Sequence, residues 1–157
     1  MTPDELKKRT KLFGLRIIRL NASLPRNRTA EVIGRQILRS GTSVGANYRS
    51  ACRARSNADF ISKMNIVEEE IDESAYWMEM LVDAGLVKPK LLQPLQQEAK
   101  ELLAITVASI NTARGRPRGT GVARTSAVRR KSAIRNPQSA IDADQPGIRN
   151  HRPDTHG

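Results

Sequence analysis

The sequence predicts an all-α protein, an antiparallel up-down four-helix bundle over residues 1–113 followed by a disordered basic tail over residues 114–157. Three observations carry this reading. Apolar residues recur at spacings of three and four along residues 3–113, and no alternating β-branched run competes with them. Proline and glycine punctuate that pattern so that four segments remain, joined by short connections. Beyond residue 113 the apolar period stops, and Gly, Pro, Ser and Arg take over with no aromatic residue. Four amphipathic helices with short loops bury their apolar stripes most simply as a bundle.

The first helix opens with Thr2 as cap, Pro3 at the first helical position and Glu5 completing a capping box. Leu6, Phe13, Ile17, Leu20 and Leu24 form its stripe, and Pro25 with Arg26-Asn27-Arg28 ends it. Thr29 is positioned to cap the second helix, which carries Ile33, Ile37, Gly41, Val44, Tyr48 and Cys52 on one side. Gly41 and Gly45 each weaken it by roughly 1 kcal/mol relative to Ala. Two readings of these glycines compete: a break near 40–43, or small residues that admit a neighbouring helix. The stripe keeps its phase across them, which favours close approach.

Ser56 with Asp59 marks the third start, and Phe60, Met64, Val67, Ile71, Ala75, Met78 and Val82 form the next stripe, stopped by Gly85. Pro89 or Pro94 opens the fourth helix; if Pro89 does, Pro94 removes one backbone bond from its first turns. Leu92, Leu95, Ala99, Leu102, Thr106 and Ile110 face inward until Gly115 and Pro117. The tail contains a degenerate heptad repeat, Ser132–Gln138 followed by Ser139–Gln145, whose Pro137 forbids a coiled coil.

Charge is unevenly placed. The chain holds 27 Lys/Arg against 16 Asp/Glu, but residues 1–113 hold 17 against 13 and residues 114–157 hold 10 against 3. A basic balance favours an anionic partner. The longest stretch without charge, Leu102–Ala113, is far shorter than the roughly 18 residues of a membrane span. The N-terminus lacks the apolar core of a secretory signal. One cysteine, Cys52, excludes an internal disulfide framework and fits a reducing, cytoplasmic compartment. Both histidines, His151 and His156, lie in the tail, so the bundle holds neither an imidazole metal cage nor a His-dependent triad. No cofactor, metal or catalytic residue is expected.

Four constellations remain. Arg35, Arg39, Arg49 and Arg53 lie within about 80° of one another on the second helix, opposite its core face, with Arg55 just beyond. Guanidinium rows suit phosphate oxygens; they equally suit solvent or carboxylates of another helix. The third helix offers seven carboxylates, from Glu68 to Asp83, over a wide arc that reads as a solvated or ion-paired face. Among them Ile66, Trp77 and Met80, with Tyr76 at the edge, form a second apolar strip, expected to be buried in another subunit. Such a contact between an Arg stripe and an acidic apolar strip is heterologous and builds a ring where the rotation closes. The tail arginines, with Arg129, Arg130 and Lys131 at their densest, offer charge for nucleic acid without aromatic residues for stacking. Cys52 lies on the apolar face and reads as core.

The string Gln36-Ile37-Leu38-Arg39-Ser40-Gly41-Thr42-Ser43-Val44-Gly45-Ala46-Asn47-Tyr48, followed by Asp59-Phe60 and the Glu68–Met80 segment, resembles a bacterial four-helix-bundle family. That family is typified by the protein encoded in intervening sequences of 23S ribosomal RNA genes. The accessory variability determinant of diversity-generating retroelements is similar in the same way. The resemblance covers about residues 6–113. It implies a homopentameric ring, a basic surface that binds RNA or DNA, no enzymatic activity and, for the retroelement relatives, a reverse transcriptase as partner. The expectation is therefore a non-enzymatic oligomer that binds nucleic acid through Arg35, Arg39, Arg49, Arg53, Arg55 and the tail. The rival is an assembly module in which those arginines pair with carboxylates.

Overall fold

A computed structural model describes residues 1–115; the tail readings, including Arg129, Arg130, Lys131 and the heptad repeat, lie outside the described residues. Four helices make up this part: α1 (Pro3–Ser23), α2 (Arg28–Ala51), α3 (Asn57–Asp83) and α4 (Pro89–Ala113). Among the described residues there is no strand, and no helix is long and apolar enough to cross a membrane.

The helix starts follow local chemistry. Thr2 Oγ1 accepts the Glu5 amide at 3.2 Å while the Thr2 amide donates to Glu5 Oε2 at 2.6 Å, a complete capping box. The cap of α2 is Asn27, not Thr29: its side-chain oxygen accepts the Ala30 amide at 2.9 Å, so the helix starts two residues earlier than its threonine indicates. Ser56 caps α3 by accepting the Asp59 amide. Pro89 occupies the first turn of α4, and Pro94 sits inside the helix at an exposed position. Gly85 and Gly115 adopt φ of +68° and +69°, the left-handed stop that non-glycine residues rarely take.

The core is one continuous cluster. Phe13, Ile17, Ile37, Met64, Ile71, Met78, Leu81 and Leu102 are fully enclosed, each contributing about 1.5–3 kcal/mol by burial. All six inward positions expected on α4 are buried. On α3 the stripe turns differently from expectation: Ser74 and Leu81 are buried, whereas Ala75 and Val82 are partly covered. A serine carries no apolar signal, yet Ser74 Oγ lies 3.0 Å from Ser40 Oγ of α2, both at 0 % exposure. One hydroxyl donates to the other, so neither polar group is orphaned at the α2–α3 contact.

The α1–α2 contact is close because of glycine. A Cβ built on Gly41 lies 2.6 Å from Ile17 Cγ1, and one on Gly14 lies 3.5 Å from the Gly41 carbonyl. The close-approach reading of Gly41 is therefore the one the fold adopts, and α2 runs unbroken through residues 40–43. The sparse α1–α4 seam is closed by Arg9, whose Nε lies 2.6 Å and Nη2 3.1 Å from the two Glu98 oxygens and which also reaches Glu101.

Candidate nucleic-acid interface

Charge is segregated by helix. Helix α1 carries six Lys/Arg against two Asp/Glu and α2 four arginines against Glu31, whereas α3 carries eight carboxylates against Lys63. Because α1 packs on α2 and α2 on α3, the bundle has a basic flank and an acidic flank, with α2 between them.

The arginine stripe of α2 is outward-facing along its length, as its periodicity indicates, but its members have different partners. Arg39 reaches across to α3. Its Nη2 lies 2.6 and 2.7 Å from the Glu73 oxygens and its Nη1 3.6 Å from Glu70 Oε1. Burial opposes ionisation of Glu73, yet the bonds from Arg39 and from the Trp77 indole N–H, 3.1 Å away, outweigh it and hold the carboxyl below its ordinary range. Glu70 behaves oppositely. Burial raises its pKa, Arg39 lowers it, and the neighbouring Glu73 and Glu69 charges raise it again. Its Oε2 is buried and has no hydrogen-bond partner among the described residues. Arg39 is thus a structural clamp between α2 and α3.

Among the described residues Arg35 has only an exposed pairing with Glu31 on its own helix, 2.7 Å, the kind worth about 0.3–0.5 kcal/mol. It borders a cleft of about 860 Å³ at the α1–α2 turn, lined also by Arg26 and Arg28. Neither of these has an acidic partner within 4 Å among the described residues. Arg49 and Arg53 lie elsewhere, in a groove between α1 and α2 that they share with Lys8 and Lys11. Arg55, exposed past the end of α2, has its backbone amide bonded to Asp59.

The sequence reading did not include Arg26, Arg28, Lys8 or Lys11. The two arginines served there only as part of a helix break, and the lysines have the outward three-residue spacing that would have placed them. The apolar strip of α3 divides. Ile66 and Tyr76 are 41 % and 51 % exposed, whereas Trp77 packs against the core with its ring edge-on to Tyr76, and Met80 is half-buried. Trp77 therefore does not stand opposite the core. Among the described residues, the α3 carboxylates gather into no group able to hold a metal ion.

Comparison with known proteins places this geometry. No curated protein matches the chain. A crystal structure of a protein of unknown function from the S23 ribosomal protein family of Bacteroides thetaiotaomicron VPI-5482 is similar, at 34% identity and a TM-score of 0.66. The alignment covers 71% of this chain and 99% of that one. The family model of the 23S rRNA-intervening sequence protein matches residues 5–108. With about two thirds of its length matched, including most of the bundle, the chain belongs to the 23S rRNA-intervening sequence protein family.

Proposed function

We propose that this protein is a non-enzymatic, cytoplasmic, homo-oligomeric bundle that binds RNA or DNA by its phosphates. The observation that supports this most is the arginine-lined cleft at the α1–α2 turn, where Arg26, Arg28 and Arg35 converge and, among the described residues, Glu31 is the only carboxylate lining it. Guanidinium groups grip phosphate bidentately, and an i,i+4 surface pair exchanges for phosphate at little cost. Arg55 and the basic tail, whose Arg129, Arg130 and Lys131 are adjacent in sequence, add non-specific affinity through counterion release. The family name is consistent with an RNA partner. A pentameric ring and service to a reverse transcriptase are the finer form of the same proposal.

The test is fluorescence anisotropy of labelled RNA and DNA over a salt series, comparing the full chain with the Arg26→Ala/Arg28→Ala/Arg35→Ala variant. A lower slope of log affinity against log salt in the variant supports the cleft as the phosphate site. An unchanged slope removes the cleft from binding, and no binding by the wild type leaves the protein an assembly module. That second reading is favoured by Arg39, whose charge is already spent on Glu73 and Glu70.

A further inference from the structure

We propose that the α1–α2 groove of one copy receives the outer face of α3 of a second copy, a heterologous contact in which each copy offers one groove and one strip. The proposal rests on the oligomeric reading above and supplies its interface; it leaves the turn arginines to nucleic acid.

The groove has about 560 Å³ of space, floored by small residues such as Gly14, Gly45 and Ala46. Its walls mix aliphatic and cationic groups. Leu15 and Ile18 are 38 % and 45 % exposed. Lys8, Lys11, Arg49 and Arg53 surround them with no acidic partner within 4 Å among the described residues. The matching face lies on α3. Ile66, Glu69, Asp72, Tyr76, Glu79 and Asp83 are all exposed and recur every three or four residues, one outward stripe. None of its four carboxylates has a cationic partner within 4 Å among the described residues.

The dimensions agree: Ile66 to Tyr76 and Lys8 to Ile18 each span about 15 Å at a rise of 1.5 Å per residue. The exposed aliphatic Leu15 and Ile18 among those cations fit a face that carries carboxylates and apolar side chains together, as the α3 strip does. Contact between two grooves, or between two strips, brings like charges together, so only groove against strip is complementary. Such a contact propagates, closing as a ring where the rotation allows.

Two variants of the full chain test this by sedimentation velocity without nucleic acid. The groove variant is Leu15→Asp/Arg49→Glu and the strip variant Ile66→Lys/Tyr76→Lys; all four positions are exposed, and circular dichroism checks folding. Wild type is expected above monomer mass and each variant at monomer mass. Their equimolar mixture is expected at twice monomer mass and no higher, because one intact groove and one intact strip remain. Charge-only variants, Arg49→Glu/Arg53→Glu and Glu69→Lys/Glu79→Lys, spare all packing and must behave alike. A monomeric wild type, a variant that keeps wild-type mass, or a mixture that stays monomeric overturns the proposal. A groove variant that assembles normally but loses RNA affinity also overturns it, assigning the groove to nucleic acid. Because assembly is read without nucleic acid, failure here leaves the phosphate cleft separately testable.

Discussion

Gly41 of α2 lies directly against Ile17 of α1, so close that a methyl group on it would sit 2.6 Å from Ile17 Cγ1 and 2.9 Å from Cγ2. Both residues are enclosed, so the helices have no free direction in which to yield. Gly41→Ala gains about 1 kcal/mol of helix propensity but meets an overpacking cost of about 1–3 kcal/mol. The expected net effect is destabilisation, read as a lower urea midpoint with unchanged slope. In an Ile17→Ala background the same substitution should become neutral or stabilising. Simple additivity in that cycle would show that the glycine is not there for contact.

Glu70 gives the bundle a pH dependence of its own sign. Burial and the neighbouring Glu73 and Glu69 charges raise its pKa in the folded state, although Arg39 lowers it. A raised carboxyl stabilises the fold when protonated; that contribution is present below the ordinary value of 4.5 and is lost as pH rises through the folded value. When Glu70 ionises, one of its carboxylate oxygens is buried and, among the described residues, has no hydrogen-bond partner. Glu70→Gln should raise stability at pH 7, where the wild type bears the desolvation cost of the charged form, and the gain should vanish below pH 4.5. Thermal melts of both proteins across pH 3–8 measure it, and a gain independent of pH would refute the charge argument.

Arg9 closes the α1–α4 seam through a forked pair with Glu98, its side chain 26 % exposed and that of Glu98 19 %. The bonds to Glu98 and Glu101 outweigh burial and push the guanidinium pKa further up. Arg9→Ala is expected to cost about 1.5–3 kcal/mol, the range for hydrogen bonds to charged groups. Arg9→Lys should recover less than half, because an ammonium cannot present two parallel donors. Faster amide exchange at the α1 and α4 ends is the accompanying signature; equal stability of the lysine variant would show that charge alone suffices.

Much of the fold was legible because its signals are local. Thr2, Glu5 and Ser56 cap through bonds three residues apart, and all six inward positions of α4 follow one helical period. Ser74 escaped because its burial depends on Ser40, 34 residues away, whose hydroxyl satisfies it. Asn27 lost the cap to Thr29 in the reading because either side chain can accept an amide and only the turn geometry decides. The candidate site was legible to the same degree. Helical phase showed that Arg35, Arg39, Arg49 and Arg53 face outward. It does not say which neighbouring helix lies beside each, so Arg39 as an α3 clamp and Arg49 as a groove wall required the tertiary arrangement.

That difference separates Arg35 from Arg39 experimentally, although they sit one turn apart on the same face. Arg39 is bonded to Glu73 through two contacts under 2.8 Å and half exposed, so its loss is structural. Arg39→Ala should lower stability by about 0.5–1 kcal/mol, release Glu73 toward its ordinary pKa and leave the salt slope of nucleic-acid binding unchanged. Arg35, with an exposed partner on its own helix, should do the reverse. Arg35→Ala should leave stability within about 0.5 kcal/mol of wild type and reduce the salt slope by about 0.7–0.9, one phosphate contact. Paired thermal melts and anisotropy titrations of the two single variants read both quantities. A slope lost with Arg39 and kept with Arg35 would move the phosphate surface from the turn cleft to the α2–α3 junction.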